Sequence, residues 1–191
     1  MRFSVGAVPA TLRLAWDETA LRLLCEVGDA TPVMLGRQDE DPDLGRKSDS
    51  VELFLDVHGE ATPRMDTNDY QFTIARDGRR TTFKGSAALS GTVRPEPEAD
   101  AAPQPKDWGM NVPIEVAVAD GPEAGPEKKP GYRVEVAVPW GAVGGKPAAG
   151  ATFGISAAVN DLWMRGGDPV PLRVSADFRE RGSFESPALW A

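Results

Sequence analysis

The chain has 191 residues, 41% of them hydrophobic, with a formal net charge of −8, one cysteine and one histidine. That length suits one domain with a full hydrophobic core. The acidic balance argues against nucleic acid or an anionic membrane as the main partner, since both need a basic patch, and the single Cys25 precludes an internal disulfide.

Met1-Arg2-Phe3-Ser4-Val5-Gly6 lacks the apolar stretch of a secretory leader, and no later segment reads as a membrane span. Leu12, Leu14 and Trp16 alternate with Arg13 and Ala15, the two-residue period of a strand. Trp16-Asp17-Glu18-Thr19-Ala20 reads as a hairpin turn into a strand over 21–27, where Cys25 falls in an apolar run and reads as a small core residue. Residues 29–48 are polar and non-periodic, a loop of the length that carries function or moves. Over 50–57 the alternation resumes, with Val51, Leu53, Leu55 and Val57 on one face and Glu52, Phe54 and Asp56 on the other. Strands over 70–75 and 80–84 are joined at Asp77-Gly78, a strong hairpin signal. A second long loop, 85–107, contains Pro95, Pro97, Pro103 and Pro105 and leans toward disorder. Strands follow over 114–118, 132–138, 153–159 and 172–176, with one short helical turn near 139–143. The expectation is an all-β, jelly-roll-like antiparallel sandwich of about nine strands with minimal helix, one domain over 1–191.

The catalytic signals are sparse. There is no Gly-rich phosphate loop and no Gly-x-Ser-x-Gly elbow, and one histidine precludes a multi-histidine metal site. His58 reads as an exposed turn residue. The remaining enzymatic idea is a carboxylate pair, Glu52 with Glu135, since glycosidases need two such groups about one sugar bond. Acids on the polar face of a strand are more often simply solvated, so no enzyme is expected. Acidic clusters suggest a structural calcium, which takes several oxygen ligands. Asp39-Glu40-Asp41-Pro42-Asp43, Asp66-Thr67-Asn68-Asp69 and Asn160-Asp161 are the candidate segments, with Asp66, Asp69 and Asp161 as the candidate ligands.

Five segments, in order, carry a resemblance. They are 16–29, Asp49-Ser50-Val51-Glu52-Leu53-Phe54-Leu55-Asp56, Asn68-Asp69-Tyr70-Gln71-Phe72, Gly131-Tyr132-Arg133-Val134-Glu135-Val136-Ala137-Val138-Pro139-Trp140, and Phe153-Gly154-Ile155-Ser156-Ala157-Ala158-Val159-Asn160-Asp161. Together they resemble the family 9 carbohydrate-binding modules and their DOMON-like relatives. The resemblance implies a β-sandwich that binds a sugar without cleaving it. It implies a glutamate and a glutamine that hydrogen-bond sugar hydroxyls, at positions matching Glu52 and Gln71, and two tryptophans that stack on the ring. Where the family carries the first tryptophan, three residues before Asp49, this chain has Arg46; the second position is matched by Phe184, with Trp163 and Trp108 as other aromatic walls. The expected site is therefore shallow and built from Glu52, Gln71, Arg46, Phe184 and Trp163. The implied partners are a carbohydrate and the other domains of a larger enzyme or assembly, and the implied compartment is extracellular or periplasmic. Two other readings stand beside it: a structural or protein-interaction sandwich without a sugar site, and a haem-binding DOMON-like domain using Met34 and His58.

Overall fold

In the computed structural model, described for residues 2–5, 8–35, 44–60, 65–85, 112–124, 129–165 and 168–175, ten strands form two antiparallel five-stranded sheets. The first sheet runs, side by side, β1 (Arg2–Val5), β2 (Val8–Trp16), β3 (Ala20–Val27), β8 (Lys129–Pro139) and β7 (Glu115–Ala124). The second runs β10 (Asp168–Ser175), β9 (Gly154–Arg165), β4 (Ser50–Asp56), β5 (Asp69–Ala75) and β6 (Arg80–Lys84). Nine of these coincide with the alternating segments of the sequence. The tenth is β1, and the helical turn is a 3-10 turn over Trp140–Val143. Residues 85–107 lie outside the described residues except for Gly85.

Alternation decides which side chains meet. Val51, Leu53 and Leu55 of β4 and Tyr70, Phe72 and Ile74 of β5 turn inward against Leu21, Leu23, Cys25, Val27, Val134, Val136 and Val138 of the first sheet. One buried cluster thus draws on both sheets, and shifting any strand by one residue would turn its apolar set outward. Cys25 is buried there, and burial with the charge of Glu26 pushes its thiol to about 12, so it is an inert core residue.

Both expected hairpins form. Asp17 makes the first: Oδ1 accepts from the Thr19 N–H and hydroxyl and from the Ala20 N–H, while Oδ2 accepts from Arg22 Nε. These donors, Thr19 above all, hold its carboxyl well below the usual carboxylate range. The second turns at Gly78, whose φ of 87° suits a residue without Cβ.

β4 departs from the simple pattern, because all seven of its residues are buried. Its outer face is covered too. A one-turn helix, α1 (Leu44–Lys47), packs against β4, β5, β9 and β10 within what the sequence presents as loop. Further along, Phe54 and Ala158 are covered by Met65 and Phe83 in a small second apolar cluster.

Candidate functional site

Glu52 lies on the covered outer face of β4, 5% exposed. Register places it opposite Thr73 of β5 and Ala158 of β9. Asn160, on the same face of β9, donates from Nδ2 to Glu52 Oε1 at 2.9 Å and to Ser50 Oγ at 3.0 Å. Half-buried Gln71, diagonally across on β5, donates from Nε2 to Glu52 Oε2 at 3.4 Å. Gly45 of α1 closes over the pair. A Cβ there would lie 2.5 Å from Glu52 Oε1 and 2.9 Å from Asn160 Nδ2, so only glycine lets the backbone come this near. Glu52 and Gln71 are thus together, as expected, with Glu52 covered by α1 and Gln71 half-buried beside it. Asn160 is a member of the network that sequence reading placed in a strand and in a candidate calcium segment, not beside Glu52.

Arg46 falls in α1, directly after Gly45, and so belongs to the segment that covers Glu52. Trp163, expected in loop-like surroundings, is instead a β9 strand residue paired with Val170, because β9 and β10 continue as a hairpin to Arg165. Phe184 and Trp108 lie outside the described residues.

The three acids considered as calcium ligands do not form one group. Asp69 faces Asp56 at one end of β4, and Asp66 donates its N–H to Asp69 Oδ2 at 2.6 Å. Asp161 follows Asn160, which pairs with Ser50 at the other end of β4, about 20 Å away at strand rise. There Asp161 meets Asp29 and Asp49 instead. All three are buried, with a carboxylate oxygen of each within 4.8 Å of the others.

Asp49 accepts the Val33 N–H at 2.6 Å and the Leu162 N–H at 2.8 Å, while Arg76 bonds Asp29 Oδ2 at 3.3 Å and stacks over the Tyr132 ring. Burial, opposed by those two N–H groups and reinforced by Asp29, pushes the Asp49 carboxyl well above the usual range. This donor set, three carboxylates with one arginine alongside, fits a hard cation such as calcium better than the Asp66–Asp69 end does.

Two other pairings are separated by the fold. Glu135 lies on the outer face of the first sheet and Glu52 on the outer face of the second, so the whole sandwich stands between them. Two stacked sheets alone are about 10 Å apart, and these carboxylates point away from each other, so they cannot flank one glycosidic bond. Met34 bridges Ser48 before β4, whereas His58 follows β4 and pairs with Glu60 at 3.6 Å. Residues at opposite ends of a seven-residue strand cannot serve as the two axial ligands of one haem.

The family model described as "carbohydrate family 9 binding domain-like" matches residues 2–190. Among curated proteins, endo-1,4-beta-xylanase A of Thermoanaerobacterium saccharolyticum is 33% identical over 75 residues, which are 39% of this chain and 5% of the xylanase. The chain thus spans a small fraction of that enzyme. Among solved structures, a family 9 carbohydrate-binding module from Caldicellulosiruptor kristjanssonii, in complex with cellotriose, superposes with a TM-score of 0.65 at 19% identity, covering 100% of this chain and 76% of that one. A second structure, described in the same words but with glucose, gives the same TM-score and identity and covers 78% of its own chain. At such identity these two establish the sandwich fold.

Proposed function

We infer, from the premise that this chain belongs to the family described as carbohydrate family 9 binding domain-like, that it is a carbohydrate-binding module whose sugar site is built on Glu52 and Gln71. The observation that carries this reading is the fixed polar group on the outer face of the second sheet. Asn160 holds one Glu52 oxygen, and Gln71, the more exposed member, stands beside the other. With α1 displaced from Glu52 in the bound state, a carboxylate and an amide held in one orientation can take a pair of vicinal hydroxyls, accepting from one and donating to the other. Arg46, next to Gly45 in α1, holds the chain position where the family carries an aromatic clamp. The sugar class is a glucose-configured unit, by analogy with the glucose and cellotriose named for the superposed modules. The module acts without catalysis, joined to a larger enzyme, as the partial match to a xylanase suggests.

Isothermal titration with glucose, cellotriose and a panel of neutral sugars tests this. Glu52→Gln is expected to weaken binding by roughly 1.5–3 kcal/mol, the worth of a charge-assisted hydrogen bond. Heat for none of the sugars would remove the reading, and undiminished affinity in Glu52→Gln would move the site elsewhere.

A further inference from the structure

The outer face of the first sheet, on the opposite side of the molecule from Glu52, carries a groove of about 750 Å³. Its pattern is set by strand register. Across β2, β3, β8 and β7, one row of outward residues is Ala15, Arg22, Ala137 and Glu115. The next is Arg13, Leu24, Glu135 and Ala117, and the third is Thr11, Glu26, Arg133 and Ala119. None of these side chains is buried. The floor is therefore small residues and the walls are long charged ones. Within these three rows Arg13, Arg22 and Arg133 match Glu26, Glu115 and Glu135 in number, and Arg22 also holds Asp17 of the adjoining hairpin, on a chain of net charge −8.

The charges are also arranged self-complementarily. We propose that two copies of this chain associate through this face, about a two-fold axis parallel to the strands and running between β3 and β8. Such an axis lays β2 over the partner's β7 and β3 over its β8, keeping each row on itself, which is the isologous case. Glu26 then stands opposite Arg133 of the second copy, and the reverse pair forms by symmetry. Within its own chain Glu26 already pairs with Arg13, so the contact becomes a carboxylate between two arginines.

Arg22 stands over Ala137 of the other copy, between its Glu115 and Glu135. Arg13 stands over Ala117, beside Glu135. Long side chains thus enter the hollows above alanines, which is why a concave face can meet its own copy. Leu24 is the exception: it meets Glu135, and it does so through the aliphatic stem of that residue. Under this operation every charge meets either an opposite charge or a small or apolar residue.

Sedimentation equilibrium of the 191-residue chain tests the proposal. The expected result is a concentration-dependent dimer. Arg133→Glu sets glutamate against Glu26 and is expected to raise the dissociation constant roughly tenfold to a hundredfold. Adding Glu26→Arg to that variant restores opposite charges across the axis and between the paired strands of one chain, at the loss of the Arg13 pair, and is expected to recover part of the association, while an unchanged circular dichroism spectrum of the single variant shows that it folds. Lys146→Glu makes the same change of net charge outside the face and is expected to leave association unchanged. A monomer up to millimolar concentration overturns the proposal. So does a dimer that ignores Arg133→Glu, one of which the double reversal recovers nothing, or one that Lys146→Glu weakens equally.

Discussion

The chemistry of the outer face of the second sheet comes down to one missing methyl group. Gly45 lets the α1 backbone rest on the Glu52–Asn160 pair, where a Cβ would sit 2.5 Å from Glu52 Oε1. Two effects oppose each other in Gly45→Ala. Alanine favours helix over glycine by about 1 kcal/mol in a helix interior, and less in a single turn such as α1. Forcing an atom into a packed site costs about 1–3 kcal/mol, because Glu52 and Asn160 are pinned to each other and to Ser50. The clash outweighs the propensity, so we expect Gly45→Ala to lose about 1–2 kcal/mol in urea unfolding. A variant as stable as the parent would mean that α1 lifts freely from Glu52. At this scale the sequence was half legible. Glu52 and Gln71 could be named through their family positions, each within a recognisable strand. Asn160 could not, because its partner lies 108 residues away and no local pattern joins them. The covering by Gly45 was hidden for the same reason, since a glycine in a polar stretch reads as loop.

Among the elements, legibility followed the strength of the period. β4 and β8 each present three or more inward apolar residues at two-residue spacing, and both were visible. β1 was not, since four residues with only Phe3 and Val5 apolar carry too little pattern. α1 is one turn, too short for a helical period, and is held by tertiary contact through fully buried Leu44.

The Asp29–Asp49–Asp161 cluster was likewise unreadable as a unit. It forms where the segment after β3, the start of β4 and the middle of β9 converge, and convergence is a property of topology. Three buried carboxylates lie together beside one arginine, and burial, with the charge of Asp29 adding to it, raises Asp49. A cation that binds the folded chain alone stabilises it by mass action. We expect millimolar calcium at pH 7.5 to raise the melting temperature by several degrees, and chelator to reverse the gain. Asp161→Asn should abolish the response. A melting temperature indifferent to calcium would show that the cluster is balanced by protons and Arg76 instead.

At the scale of the molecule, burial of acids sets how stability depends on pH. Asp69 is fully buried, accepts one N–H from Asp66, and has its second oxygen without a hydrogen-bond partner among the described residues. Burial first, then the nearby charges of Asp56, Asp66 and Glu60, lift its carboxyl from the ordinary 3.8 to about 7. Between those two values the folded chain keeps a proton that the unfolded chain has lost. Stability therefore falls as pH rises through this window and is level on either side of it. Asp49 shifts in the same direction. Self-repulsion of a chain with net charge −8 at pH 7 adds to the fall, since its pI is near 4.7.

Salt separates the two causes, because it screens exposed charges and scarcely touches a buried one. In about 0.5 M salt we expect the urea midpoint to remain lower at pH 8 than at pH 5. Asp69→Asn keeps an acceptor for the Asp66 N–H and removes the titration. It should reduce the pH 5 to pH 8 difference in unfolding free energy by on the order of 2–4 kcal/mol, the linkage worth of a shift of this size. An equal pH dependence in that variant would assign the whole slope to surface repulsion and to Asp49. The acidic composition alone implies some loss of stability above the pI. Which acid carries it depends on which carboxylate the sandwich buries, and that is decided by Asp69 facing Asp56 across two paired strands.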